Sequence, residues 1–495
     1  MKLARNLLRD DGVLFVSLDD NEIFNLRKIS DEVFGEKNFL GMIVLKTATD
    51  NNGSQVTTEH EYLFCVAKRA DVQQGWKRKS EAAAKIIAQY GKIKMKFAAP
   101  QLIQDALRKW IKDNRNDLPQ VAHYNNVDEK GVYSSSGNSS NPHPGGYMFD
   151  ILHPKTGRPC PKPANGWRWP EATFASYAKS GEVEWGIDET TQPHIKKRIE
   201  TATESLRSLI YEDNRGTTKE LSELFDGKKV FDNPKPYRLL ARIMDFVTTD
   251  DSIVLDFFAG SSTTAHAVFH QNVIDGGTRK FIMVQLPEVC AEGSEAAKAG
   301  YKNICEIGKE RIRRAGKKII DEFDEKRKVV AGSLDLDGGN TTRVGSLPDI
   351  GFRVLKLDSS SLNDTSATVS ETSQAFENFD RIKSDRSPED LLFQMLLETR
   401  IPLSEPIVKA QVAGNEVFFV GVPADAQDKD ALSGAPLAAC LDQNAKMTTE
   451  FFIEVAKLKP GIAFFRDDAF ADDSARTNLQ QAFDQFSPST SIKVI

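Results

Sequence analysis

The chain has 495 residues, of which 27% are charged, and its 65 Lys and Arg against 71 Asp and Glu give a net charge of −6 at pH 7. This length accommodates about three domains of roughly 150 residues, and no apolar run reaches the ~18 residues that a membrane span needs. The first residues lack the apolar core of a signal peptide, so we expect a cytoplasmic protein without a membrane partner. The five cysteines are scattered and predict neither a zinc site nor disulfides, so we expect no metal.

The first 67 residues have the pattern of an incomplete α/β domain. Apolar spacing predicts a short helix near residues 3–8, a second helix ending at Phe34, and strands at 40–46 and 62–67. Between the helices, the near-continuous apolar run Val13–Leu18 is typical of a buried parallel strand. A parallel strand needs neighbours, and this segment contains no leading strand that could supply one.

Residues 68–224 differ from the flanking sequence in charge and composition. Their first part, residues 68–116, carries 13 Lys or Arg against 4 Asp or Glu, and loops rich in Ser, Asn, Pro and Gly follow. We interpret this segment as an insertion with its own small core and a basic surface that suits a polyanion. The tail is the opposite, because residues 357–495 carry 12 basic against 22 acidic side chains, which do not suit a polyanion.

The α/β pattern returns in residues 225–330. It predicts a helix to about residue 246, strands at 253–258 and 280–287, a helix at 263–271 between them, and a long amphipathic helix from 304 to 323. Residues 331–495 are expected to form a smaller α/β unit with strands at 352–357, 416–422 and 461–465.

One strand-to-helix turn carries recognisable chemistry. Asp256 ends a predicted buried strand, and the small residues 259–264 allow the sharp turn into the next helix. In an open α/β sheet this is where ligands bind, and free amides at the helix start suit a carboxylate while the Asp suits an amino group. The Gly-Lys-Ser/Thr and G-x-G-x-x-G patterns are absent, which counts against ATP and NAD. S-adenosylmethionine carries both a carboxylate and an amino group and would therefore suit this turn. A purely structural tight turn is the alternative.

The segment around Asp256 resembles motif I of the amino-group DNA methyltransferases, and residues 233–236 resemble the segment that precedes it in the β arrangement. Other segments are similar to the modification subunits of type III restriction-modification systems: residues 3–22, 59–62, 124–131, 153–157 and 307–315. The resemblance implies a Rossmann-like methyltransferase sheet, N-terminally incomplete. Its parts would be a catalytic half (1–67), an inserted target-recognition domain (68–224), a cofactor half (225–330) and a smaller C-terminal α/β domain (331–495).

The resemblance further implies methyl transfer from S-adenosylmethionine to the N6 amino group of an adenine in double-stranded DNA. The residues carried over as cofactor-binding are Asp256, Phe257, Phe258, Gly260, Thr263, Thr264, Lys235 and Gln285. Gln285 stands near the acid expected at the ribose, and Glu288 is the alternative. The expected DNA-binding residues are Lys155, Trp167, Arg168 and Trp169, although two Trp around an Arg also fit the core of an insertion.

The family's catalytic motif is missing from the sequence. These enzymes hold the flipped adenine's amine with Asp/Asn/Ser-Pro-Pro-Tyr/Phe, and the chain contains no Pro-Pro dipeptide. In the β order this motif should precede Met1, so we expect a truncated and inactive chain whose catalytic residues are unknown. The family's partners are a restriction subunit and a second modification subunit. A non-catalytic DNA-binding and partner-docking subunit and a solitary methyltransferase are the alternatives.

Overall fold

The computed structural model describes residues 1–46, 58–118, 120–137, 139–211, 215–333, 349–362, 382–426 and 428–495. The chain divides into two compact units, Met1–Ile350 and Gly351–Ile495. Both contain helices and strands, so the expected mixed α/β class is confirmed. Within the ranges given above, the structure has no helix long and apolar enough to cross a membrane.

The first segment forms a mostly antiparallel sheet. Its elements are α1 (Lys2–Leu7), β1 (Val13–Leu18), α2 (Ile23–Phe34), β2 (Phe39–Lys46) and β3 (His60–Ala67). The strand order is β1-β3-β2, and both pairings are antiparallel. The prediction that Val13–Leu18 is a buried parallel strand was wrong, because an apolar run does not encode strand direction, and these residues are only partly buried.

The predicted insertion contains two hydrophobic cores and also contributes to the first sheet. Its elements are β4 (Lys77–Lys79), α3 (Glu81–Lys94), α4 (Pro100–Asp113), β5 (Asn126–Asp128), β6 (Gly131–Gly137), α5 (Glu171–Lys179), β7 (Val183–Glu184), β8 (His194–Arg198), β9 (Thr203–Ser205), β10 (Leu209–Tyr211) and α6 (Arg215–Leu224). One core lies around Ile86 and Leu107, and the other lies around Trp167 and Phe174. Strand β10 pairs in parallel with β2, so the segment 68–224 is not separate from the first sheet.

Residues 225–333 form a small parallel βαβ unit. Its elements are α7 (Tyr237–Val247), β11 (Ile253–Asp256), α8 (Thr263–Asp275), β12 (Lys280–Met283), α9 (Glu295–Lys298) and α10 (Ile304–Ser333). Strands β11 and β12 pair in parallel, as a βαβ crossover requires. Among the described residues, these two strands form a sheet of their own instead of joining the β1-β3-β2-β10 sheet.

The second unit is a mixed α/β sandwich with an apolar core. Its elements are α11 (Pro388–Thr399), β13 (Ile407–Val412), β14 (Asn415–Val420), α12 (Lys429–Leu432), β15 (Leu437–Cys440), α13 (Thr449–Lys457), β16 (Ile462–Phe465), α14 (Asp473–Phe486) and β17 (Ser491–Val494). The strand order follows the sequence from β13 to β17, antiparallel up to β15 and parallel from there on. Apolar clusters cover both faces of this sheet.

Two sequence expectations for the C-terminal part meet different outcomes. The strands predicted at 416–422 and 461–465 correspond to β14 and β16 and are confirmed. The strand predicted at 352–357 was wrong, because these residues form no strand in the structure and their apolar side chains Val354, Leu355 and Leu357 are exposed. The units separate at residues 350 and 351, whereas the sequence placed the boundary at 330 and 331.

Candidate functional site

The carboxylate of Asp256 is held at the carboxyl end of β11. One oxygen, Oδ1, accepts the N–H of Phe258 at 3.1 Å, and the other, Oδ2, accepts the hydroxyl of Thr264 at 2.6 Å. These donors lie on the two sides of the turn, so they fix the orientation of the carboxylate. Each oxygen retains a further lone pair, and the arrangement can therefore accept a hydrogen bond from an amino or hydroxyl group of a ligand.

The turn between β11 and α8 is built from left-handed backbone conformations. Gly260 has φ +51° and Ser262 has φ +61°, a region that glycine adopts without the steric cost that other residues meet. The N–H of Gly260 donates to Oε1 of Gln285 at 2.7 Å. The structure thus brings together Asp256, Gly260, Thr264 and Gln285, which the sequence assigned to one site.

Two aromatic side chains extend from the same turn toward solvent. Phe258 is 83% exposed, and the ring centroids of Phe257 and Phe258 lie 5.2 Å apart. An apolar surface beside a polar carboxylate is typical of sites that bind the flat, partly apolar part of a small molecule. Glu288, the alternative to Gln285, is exposed and lies three residues further along the chain.

Lys235 joins the two halves of the first unit. Its ammonium group forms an ion pair with Glu61 in β3, although the two residues are 174 positions apart. The family resemblance implied a cofactor-binding role for Lys235 but gave Glu61 no role. A ligand carboxylate would therefore compete with Glu61 for Lys235, and both side chains are partly exposed and accessible to it.

A polar cluster that the sequence did not identify lies where β1 ends and β3 begins. Because these strands are antiparallel, Leu18 pairs with Tyr62, and the residues that follow β1 meet the start of β3. His60 Nε2 lies 2.8 Å from the hydroxyl of Tyr62 and 3.9 Å from a carboxylate oxygen of Asp20. The hydrogen bond to Asp20 raises the pKa of Tyr62 above its usual value. The segment 59–62 was noted for its family resemblance alone, and only the strand register brings Asp20 to it.

Behind the turn lies a buried group of polar side chains. The ring of His266 stacks on Tyr237 at a centroid distance of 3.8 Å, and burial, with smaller contributions from Arg311 and His270, lowers the pKa of His266 well below its usual value. His266 is therefore neutral at physiological pH. In the parts of the chain that the structure describes, His, Cys, Asp and Glu form no cluster that could hold a metal ion.

The insertion places its four expected DNA-binding residues differently. Trp167 is 1% exposed and its indole N–H donates to the carbonyl of Phe149 at 2.9 Å, so its ring belongs to the core and cannot stack on a base in this structure. Arg168 and Trp169 line an open cavity of about 350 Å³ together with Tyr177, Lys196, Lys197 and Arg198. Lys155 lies exposed on a separate loop.

An ion-pair network fixes one wall of this cavity. Asp128 accepts two hydrogen bonds from Arg198 and pairs with Lys196 at 2.8 Å, and Glu182 pairs with Arg198 at 2.8 Å. These cations lower the pKa of Asp128, even though burial alone would raise it. Lys197 is exposed and has no part in this network, so it adds positive charge at the surface of the insertion.

Comparison with protein families matches residues 1–288 to the DNA methylase family, whose members modify the N6 or N4 amino groups of bases. The match covers more than half of the chain, and the chain belongs to this family. This places the polar turn at Asp256 and the ion pair of Lys235 with Glu61 within the matched segment.

Among curated proteins, the chain is similar to the Mod subunits of type III restriction-modification enzymes. It is 37% identical over 323 residues to that of EcoP15I from Escherichia coli (65% of this chain, 50% of the relative). It is 33% identical over 330 residues to that of StyLTI from Salmonella typhimurium (64% and 44%). The type II methyltransferase M.KpnI from Klebsiella pneumoniae is 29% identical over 331 residues (61% and 69%). The resemblance inferred from the motifs is confirmed, and the chain spans about half the length of these Mod subunits.

Proposed function

We propose that the chain is a subunit of a site-specific DNA methyltransferase that acts on the N6 amino group of adenine within a type III restriction-modification system. The observation that carries the proposal is the fixed carboxylate of Asp256 beside the left-handed turn into α8, within the segment that matches the DNA methylase family. A carboxylate for amino or hydroxyl groups and backbone amides for an anion are what S-adenosylmethionine requires.

The residues present fit that cofactor. Asp256 would accept a hydrogen bond from it, Gly260 would allow close backbone approach, Thr263 would begin the helix that faces its carboxylate, and Phe257 and Phe258 would contact its flat part. Lys235 would reach the carboxylate in exchange for Glu61, and Gln285 holds the turn through Gly260. When bound, S-adenosylmethionine supplies an electrophilic methyl group.

For the DNA we propose the cavity in the insertion as the contact surface. Arg168 and Lys197 would contact phosphates, as exposed cations do, and Trp169 and Tyr177 offer ring faces at a centroid distance of 6.1 Å for stacking. Lys155 is proposed as a further phosphate contact. Trp167 supports this surface from within the core.

We further propose a Rossmann-like methyltransferase fold to which β11–β12 and the β1-β3-β2-β10 sheet both contribute, although the described strands of the two sheets do not pair with each other. An exocyclic amine is a poor nucleophile because its lone pair is delocalised into the ring, so the family holds it with Asp/Asn/Ser-Pro-Pro-Tyr/Phe. The sequence has no Pro-Pro dipeptide, so we expect the chain alone to have little or no activity. A restriction subunit, a second modification subunit and a cytoplasmic location belong to the same proposal.

Calorimetry with S-adenosylmethionine tests the cofactor site. We expect the chain to bind and Asp256→Ala to weaken binding at least tenfold, because one charge-assisted hydrogen bond contributes about 1.5–3 kcal/mol. Asp251→Ala is the matched control, since Asp251 is exposed and lies just before β11, at the opposite end of the strand. Equal affinity of the Asp256→Ala variant would contradict the proposed pocket.

A tritiated-methyl transfer assay on DNA tests the expected inactivity. Robust turnover by the chain alone would exclude an inactive subunit and favour a solitary methyltransferase, the candidate that the similarity to M.KpnI supports. A chain that binds DNA without binding S-adenosylmethionine would instead be a non-catalytic DNA-binding and partner-docking subunit. The separation of β11–β12 from the other sheet in the described residues favours this second candidate.

A further inference from the structure

A buried arginine lies directly behind the cofactor turn. Arg311, on α10, is 2% exposed, and its Nη1 donates hydrogen bonds to Ser261 Oγ and to Thr263 Oγ1, both at 2.6 Å. Its Nε has no hydrogen-bond partner in the structure. Arg311 belongs to the helix that the sequence predicts to be amphipathic, and its charged side chain points into the unit instead of toward solvent.

No carboxylate forms an ion pair with this cation within the described part of the chain, and Glu220 acts on it only through its more distant charge. Glu310, its neighbour on the helix, pairs with Arg314 at 2.7 Å, and Glu220 pairs with Arg238 at 3.2 Å. Burial lowers the pKa of Arg311 to about 10, so the guanidinium remains charged at neutral pH. A buried charge without a counter-ion is costly, and the site therefore favours the arrival of an anion.

The two hydroxyls indicate where that anion would bind. Because both hydroxyl oxygens accept from the guanidinium, their protons must point away from it. At 3.5 Å the two hydroxyls make at best one long mutual hydrogen bond, so at least one hydroxyl proton has no close acceptor in the part of the chain that the structure describes. Thr263 is also the first residue of α8, a helix of 13 residues whose N-terminal amides favour negative charge.

The close approach of α10 to the turn is built into the sequence. A Cβ at Gly308 would lie 2.6 Å from Ser262 Oγ and 3.4 Å from the carbonyl of Gly260, so a glycine is needed here. Arg311 lies almost one helical turn further on, which brings its guanidinium to the hydroxyls.

We propose that Arg311, acting through Ser261 and Thr263, forms the carboxylate subsite at the start of α8 and is a positioning residue for an amino-acid-bearing ligand. This rests on the proposed function, in which that ligand is S-adenosylmethionine. The guanidinium orients the hydroxyl protons toward the ligand carboxylate and adds its charge to that of the helix terminus, while Asp256 serves the remainder of the ligand.

Calorimetry on the full chain with two probes, S-adenosylmethionine and decarboxylated S-adenosylmethionine, tests this inference. We expect Arg311→Met to weaken binding of the first probe by about tenfold or more and of the second by less than threefold, because one charge-assisted interaction is lost only where a carboxylate is present. Thr263→Val, which keeps the shape but removes the hydroxyl, should show the same selectivity with a smaller change. Lys317→Met, at an exposed position of the same helix, is the control.

The outcomes separate this inference from the function on which it rests. If the unmodified chain binds neither probe, the cofactor proposal fails and the subsite fails with it. If it binds both and Arg311→Met weakens both equally, Arg311 is only a structural support of the turn and the inference is overturned. Arg311→Lys, which keeps the charge on a shorter side chain, should recover part of the selectivity. If Arg311→Met does not fold, as judged by circular dichroism, Thr263→Val decides.

Discussion

The cofactor half and the C-terminal unit are both α/β structures, but they bury their strands to very different extents. In the C-terminal sheet every residue of β15 is buried, and so is nearly every residue of β14 and β16. In β11 and β12 no residue is buried, and Ile253 and Ile282 are at least half exposed. A two-stranded sheet is marginal by itself. The cofactor half therefore depends on its helices, whereas the C-terminal unit has a core of its own.

The same contrast extends to polar groups. The core clusters of the C-terminal unit consist of apolar side chains, among them Phe451, Phe452, Phe465 and Phe483, and its buried arginine, Arg466, is paired with Asp468 at 2.6 Å. The cofactor half instead buries the side chains of Arg311, His266 and Ser261 around one turn. Buried polar groups cost stability unless they are satisfied, and residues kept at such cost often serve a binding site. Exposed strands and buried polar side chains thus occur together where the ligand is proposed to bind.

The largest predicted effect concerns the apolar core of the C-terminal unit. Phe465 is 1% exposed and its ring lies 5.1 to 6.1 Å from those of Phe451, Phe452 and Phe483. Phe465→Ala should therefore lower the stability of the C-terminal unit by about 3–5 kcal/mol. Hydrogen exchange followed by mass spectrometry on peptides from 437–495 measures it. Phe258→Ala, at an 83% exposed position, is the matched change in the other region and should cost under about 0.5 kcal/mol. Similar losses in both regions would contradict the contrast.

Helix glycines give the second test, within the first unit. Gly308→Ala places a Cβ 2.6 Å from Ser262 Oγ. We therefore expect the free energy of unfolding to fall by about 1–2 kcal/mol, even though Ala has a higher helix propensity than Gly. Gly91→Ala, in α3, meets no atom within 4 Å and should stabilise by about 0.5–1 kcal/mol. All five tryptophans lie between residues 76 and 185, so urea unfolding followed by Trp fluorescence reports this unit. Equal effects of the two substitutions would show that α10 does not press on the turn.

Histidine titration should affect the stability of the first unit only, because all seven histidines lie at or before residue 270. The folded-state pKa of His266 lies below its unfolded value of about 6.5, so its full contribution to stability is present above pH 6.5. As the pH falls below 6.5, the unfolded chain binds a proton that the folded chain excludes, and the free energy of unfolding decreases. From pH 7.5 to 5.5 this group should remove about 1.4 kcal/mol.

Because the pKa of His123 is also lowered, the contribution of His266 is isolated by a variant. We expect His266→Asn to reduce the pH dependence of urea unfolding in the first unit, whereas His143→Asn, at an exposed position, leaves it unchanged. The C-terminal unit has no histidine and should show no such step in hydrogen exchange. An unchanged slope in His266→Asn would mean that this ring has the same pKa in the folded and unfolded states.

Local sequence patterns predicted where the helices and strands lie better than they predicted which strands pair. The apolar spacing located α2, α7, α8 and β11 to within a few residues, because periodicity and turn chemistry are local. The strand direction of β1 and the pairing of β10 with β2 depend on long-range register, which local sequence patterns do not reveal. The same holds for the site. Asp256 was identified from its local turn, whereas Glu61 lies 174 positions before its partner Lys235, and Arg311 lies 50 positions after its partner Ser261.

The smallest predicted effect compares two ion pairs of similar exposure. The side chains of Lys235 and Glu61 are 40% and 32% exposed, and those of Lys409 and Glu389 in the C-terminal unit are 45% and 48% exposed. Pairs that solvent screens to this extent contribute at most about 1 kcal/mol. Double-mutant cycles with Lys→Met and Glu→Gln should therefore give similar coupling energies of about 0.2–1 kcal/mol for both pairs.

Only ligand binding should separate these two pairs. Glu61→Gln frees Lys235 from its intramolecular partner, so its ammonium group becomes available to the carboxylate of S-adenosylmethionine, and affinity measured by calorimetry should rise about two- to threefold, a gain within the range of one screened pair. Glu389→Gln leaves Lys409 paired with Glu416 alone, in a region with no proposed ligand, and should leave the affinity unchanged. Unchanged affinity in Glu61→Gln, together with a normal coupling energy, would restrict Lys235 to joining β3 to the cofactor half, and would leave Arg311 as the cation that serves the ligand carboxylate.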